Sequence, residues 1–95
     1  GTIYLNVTSK ENGEWMHNAR GWWYQNADGS YPKGGWWQDP ANGTWYFFDE
    51  QGYMQTGWID WNGNRYYCTA GGAMAVGEYT IDGAQYRFDA TGALQ

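Results

Sequence analysis

A fixed twenty-residue spacing constrains this chain more than any single motif. Gly43, Gly63 and Gly83 are 20 apart, as are Tyr46, Tyr66 and Tyr86, then Gly52, Gly72 and Gly92, then Met54, Met74 and Leu94; Gly57 and Gly77 keep the same step. A period of this length signals a solenoid of small units, none of which buries its apolar face alone. A weaker copy lies upstream, where Trp22-Trp23-Tyr24-Gln25 and Gly29 match Trp45-Tyr46-Phe47-Phe48 and Gly52. The step there is 23, so three residues are inserted, most simply within 38–42. The frame divides the chain into residues 1–13, a short strand signal that is either a cap or the tail of an upstream domain, and four units at 14–34, 35–57, 58–77 and 78–95.

Within a unit, a leading position precedes an aromatic run by about seven residues, and Asn42-Gly43, Asn62-Gly63 or Asp82-Gly83 stands between them. Asx-Gly pairs tolerate the positive φ of a type I′ turn, so each unit is expected to be a β-hairpin. Helical periodicity is nearly absent. The expected fold class is all-β, a solenoid of consecutive β-hairpins.

The core has to be built from rings, because two Leu, three Ile and two Val stand against twenty aromatic residues. Alternation along the trailing strand separates two faces. Positions 46, 66 and 86 are all Tyr, and 48, 68 and 88 are Phe, Cys and Phe, which reads as the uniform, packed face. Positions 45, 65 and 85 (Trp, Arg, Gln) and 47, 67 and 87 (Phe, Tyr, Arg) change in kind, which reads as the face that meets solvent and ligand.

That variable face suggests aromatic cages between neighbouring hairpins. The best set by frame is Trp37 or Trp36 with Trp45 and Tyr67; a second is Trp15, Trp22 and Phe47. A third, at Trp58, is expected to fail because Arg65 and Arg87 replace two walls. Rings that merely pack the solenoid are the competing explanation. The net charge of −5 favours a cationic ligand. A quaternary ammonium fits such a cage, since it has no N–H to donate and is drawn to ring faces at about 0.5 to 2 kcal/mol per ring.

Other chemistries are poorly represented. The five Lys and Arg are scattered, so no basic stripe tracks phosphates, and nucleic acid is not an expected partner. The ten acids fall mostly in turns, His17 has no ligand-spaced partner, and Cys68, the lone cysteine, reads as a buried filler. No catalytic residues, metal or cofactor are expected, and the chain is not expected to be an enzyme itself. There is no transmembrane run, so membrane insertion is not expected. Beginning at Gly1 without Met, the chain is read as an excised piece of a longer protein.

The segments NADGSYPKG (26–34), NGTWYFFDEQGYM (42–54), TGW (56–58) and GGAMAVG (71–77) resemble the choline-binding, or cell-wall-binding, repeats of Gram-positive surface proteins and cell-wall hydrolases. The resemblance covers about residues 14–95. It implies a left-handed hairpin solenoid that docks on choline of teichoic or lipoteichoic acid, with three rings per choline and a Met nearby. Carried over by position, Trp37 (or Trp36), Trp45 and Tyr67 with Met54 or Met74 form one site, Trp15, Trp22 and Phe47 another, and Trp58 a remnant. It also implies a secreted protein at the bacterial cell wall or surface. Glu78, Arg65, Gln85 and Arg87 depart from the pattern. Related glucan-binding repeats share much of the frame, which keeps an α-glucan module and a structural spacer as alternatives, and the exposed solenoid ends leave a homodimer open.

Overall fold

The computed structural model of the chain describes residues 13–95; the strand expected near the N-terminus lies outside them. Eight strands follow one another: β1 (Glu14–Asn18), β2 (Gly21–Gln25), β3 (Gly35–Gln38), β4 (Trp45–Phe48), β5 (Gly57–Trp61), β6 (Asn64–Cys68), β7 (Gly77–Ile81) and β8 (Ala84–Phe88). They pair only with their immediate partners, as four separate antiparallel two-stranded sheets. Among the described residues there is no helix. The protein is thus an all-β solenoid of consecutive hairpins.

Two turns follow the Asx-Gly rule directly. Asn62 and Gly63 have φ of 50° and 83°, Asp82 and Gly83 of 52° and 84°, the paired positive values that a type I′ turn requires. Asn42-Gly43 differs, since only Gly43 has positive φ. There the hairpin closes by a longer loop between Gln38 and Trp45. Asp39 organises it: its N–H donates to Thr44, its C=O accepts from Asn42 and Gly43, and its carboxylate accepts from Ala41. The insertion is therefore split rather than confined to 38–42. The hairpin loop 39–44 is longer than the Asn62-Gly63 turn, and the preceding connection, 26–34, is one residue longer than 49–56.

Hairpins are joined by backbone bonds that recur with the period. The Met54 N–H donates to the Trp22 carbonyl at 2.7 Å, Met74 to Trp45 at 2.9 Å, and Leu94 to Arg65 at 2.7 Å. Each connection thus ties itself to one frame position, the first or second residue of the trailing strand one hairpin back. The connections are shaped by Asp49 and Asp89, whose Oδ1 atoms each accept two backbone N–H groups, the Asx turns expected of these residues.

The packed interior runs along positions 48, 68 and 88. Phe48 and Cys68 are completely buried and Phe88 nearly so. The lead tryptophans lie over it and touch the next hairpin in constant fashion: Trp15 to Tyr46 at 4.8 Å, Trp36 to Tyr66 at 5.0 Å, and Trp58 to Tyr86 at 5.0 Å between ring centroids, all edge-on. Edge-to-face contacts of this kind contribute beyond the area they bury. They supply what a chain poor in aliphatic residues cannot.

Candidate functional site

The repeating lead-Trp to Tyr contact opens a depression at each of the first two junctions. Around the first stand Trp15, Trp22, Tyr46 and Met54, with Ala70 and Gly71 at the edge, enclosing about 470 Å³. Around the second stand Trp36, Trp45, Tyr66, Met74 and Trp61, enclosing about 420 Å³. The two are built alike. One hairpin supplies the lead Trp and the first ring of its trailing strand, the next hairpin supplies Tyr46 or Tyr66, which share one frame position, and the staple to the Trp22 or Trp45 carbonyl brings a Met alongside. Among the described residues no charged side chain lines either depression.

The outer walls are the exposed ones: Trp22 is 44% and Trp45 39% accessible, unusual for rings of this size in a chain short of apolar residues. Neither serves the interior. Trp45 caps its depression, while Trp22 also lies against the His17 ring at 4.6 Å. The methionines are held in place by glycine. A side chain at Gly72, whose φ is 92°, would collide with Met54 Sδ, and one at Gly92, φ 91°, with Met74 Sδ.

The sequence frame offered Phe47 and Tyr67 as third walls, and the structure sets Tyr46 and Tyr66 there instead. Phe47 packs between Trp36 (5.0 Å) and Trp61 (5.3 Å), and Tyr67 against Trp58 (5.1 Å). The physical reason is the separation of each hairpin into its own sheet. The side of a strand that leads inward at position 48 leads, two residues earlier, into the junction with the preceding hairpin. Of the alternative lead rings, Trp36 faces the second depression, whereas Trp37 lies inside, near Trp15, Tyr24, Tyr46 and Phe48. Trp15 and Trp22 stand together at the first depression and Trp45 with Met74 at the second, whereas Met54, offered beside Trp45, lines the first. Trp58 stands at the third junction, beneath Arg65.

Two participants had no signal in the frame. Trp61 ends β5, and its place by frame is taken by Asp39, in the loop after β3, in hairpin 2 and by Ile81 in hairpin 4, so no repetition marks it. Asp39, read as a turn residue, is 4% exposed, and its Oδ2 accepts the Trp15 indole N–H at 3.1 Å. Burial, reinforced by this carboxylate, raises the Tyr24 hydroxyl above its ordinary pKa. At the second junction Trp61 stands in that place and cannot accept, and the Trp36 indole N–H is buried without an acceptor among the described residues.

Residues 34–79, which hold the whole of β3 to β6 and every ring named at the second depression, match the family model described as a choline-binding repeat. This segment is similar to the choline-binding repeats. Over 40 residues the chain is 40% identical to the lysin of Pneumococcus phage Dp-1, a match covering 42% of this chain and 14% of that protein. Among solved structures, the multimodular pneumococcal cell-wall endolysin from phage Cp-1, complexed with choline, superposes with a TM-score of 0.82 at 36% identity, covering 87% of this chain and 24% of the endolysin. Choline binding protein F from Streptococcus pneumoniae superposes at 0.78 with 29% identity over 87% of this chain and 28% of that protein. The repeats here span about a quarter of the length of those two proteins.

Proposed function

We propose that this chain is a binding module that holds choline groups of a bacterial cell-wall polymer in the two aromatic depressions. The single observation that carries the reading is the repeated grouping of Trp15, Trp22, Tyr46 and Met54, and of Trp36, Trp45, Tyr66 and Met74, around depressions with no charged lining among the described residues. A trimethylammonium group needs ring faces in place of hydrogen-bond acceptors, and its methyls pack on the soft thioether of Met. A primary ammonium would instead lose strong hydration with no carboxylate among the described lining residues to pair with it. Three rings give on the order of 2 to 6 kcal/mol before the cost of association, which corresponds to millimolar-class affinity for one free choline. Two depressions on one chain raise retention on a polymer carrying many cholines.

In this reading the polymer is teichoic or lipoteichoic acid and the module works outside the cell, at the wall. Its part is attachment rather than turnover. A titration of Trp fluorescence with choline chloride to tens of millimolar, run beside tetramethylammonium and dextran, tests it. Saturable change with both cations and none with dextran is the expected result. Change with dextran alone would transfer the rings to sugar stacking.

A further inference from the structure

We infer that the third junction is a cation site of the same build, already filled by the chain's own guanidinium, and that Arg65 is the residue that limits the module to two external cations. The inference rests on the reading of the first two depressions as cation sites. The third junction keeps their scaffold. Trp58 meets Tyr86 at 5.0 Å, the spacing that Trp36 keeps to Tyr66. Leu94 donates its N–H to Arg65 as Met74 does to Trp45 and Met54 to Trp22, so Arg65 occupies the backbone position of the two exposed tryptophans. The wall that would complete the cage is thus replaced by a cation.

That cation lies where a ligand would lie. The Arg65 Cζ is 4.7 Å from the Trp58 ring centroid, within the range of a cation–π contact. Its Nε is 3.5 Å from Asp60, its cross-strand partner, which gives the guanidinium a second, exposed anchor on the same hairpin. A guanidinium stays charged at any accessible pH, so the occupation is permanent rather than switched. Like charge at this distance disfavours a trimethylammonium over the same ring. Arg87, the other cation of this end, is engaged elsewhere, paired with the Glu78 carboxylate across β7 and β8.

Substituting Arg65→Trp removes the resident cation and restores the missing wall. Choline stoichiometry by equilibrium dialysis is expected to rise from two to three per chain, and to return to two in Arg65→Trp/Trp58→Ala. A stoichiometry that stays at two in a folded Arg65→Trp protein overturns the inference while leaving the first two sites intact. A second measurement needs no variant at Arg65: with 5-fluorotryptophan incorporated and resonances assigned by single Trp→Phe changes, saturating choline should shift the Trp36 and Trp45 signals of the native protein and leave Trp58 unmoved. A Trp58 shift matching theirs overturns the inference. Absence of any shift at Trp36 and Trp45 instead removes the reading on which it rests.

Discussion

The first two hairpins and the last two share one scaffold and diverge in what they place on it. Phe48 of hairpin 2 has its counterparts in Cys68 and Phe88, buried alike, and the lead-Trp to Tyr contact is held at 4.8 to 5.0 Å across three junctions. The cage positions differ in kind. Trp22 and Trp45 become Arg65 and Gln85, and the lead ring of hairpins 1 to 3 becomes Glu78 in hairpin 4, where it pairs with Arg87. In a repeat whose units all rest on neighbours, packing positions must stay alike while cage positions are free to change.

The largest expected effect breaks what the two halves have in common. Phe48→Ala removes a completely buried ring and should cost about 3 to 5 kcal/mol, a large share of the stability of so small a module. Urea unfolding measures it, and a loss under about 1 kcal/mol would show that the interior does not depend on this column of side chains.

A smaller effect makes the first junction resemble the second. Asp39→Ala takes the acceptor from the Trp15 indole and should cost about 1 to 3 kcal/mol, while Asp39→Asn keeps an acceptor and should cost less. Thermal denaturation of the two variants separates lost hydrogen bonding from a general intolerance of change in the loop.

Weaker still is the pH dependence of Cys68, which stands where its neighbours have Phe. Burial pushes its thiol up to about 11 from 9.0, so it stays protonated in the folded protein. The sign follows: its contribution is fully present below the unfolded pKa and is lost as pH rises through about 11. Slow alkylation by iodoacetamide at pH 8 until urea unfolds the chain is the expected outcome. Smallest of all, Glu78→Gln should leave the thermal midpoint unchanged, because both members of its pair are more than half exposed.

The repeat, the hairpins and the buried column were legible because each depends on local pattern: a fixed period, Asx-Gly turns at 62–63 and 82–83, and apolar residues at 48, 68 and 88. The walls of the depressions were legible only in part. Trp22 and Trp45 stood out because Arg65 and Gln85 vary at the same place. Tyr46 and Tyr66 did not, because constancy is also the mark of a core position, and two-face alternation describes one continuous sheet rather than hairpins that each lean on the next. Asp39 reads as an ordinary turn acid until Trp15, 24 residues away, is brought to it. Trp61 has no counterpart from which its place could be inferred.

Choline stoichiometry in the native chain, beside Trp45→Ala, tests the central claim most directly. Trp45 is exposed and makes no contact with the buried column, so its loss should leave folding nearly intact, at a cost of about 1 kcal/mol or less. Two bound cholines in the native protein and one in a folded Trp45→Ala protein are predicted. Equal binding by both proteins, or loss of binding only together with unfolding, would contradict the account and return these rings to a packing role.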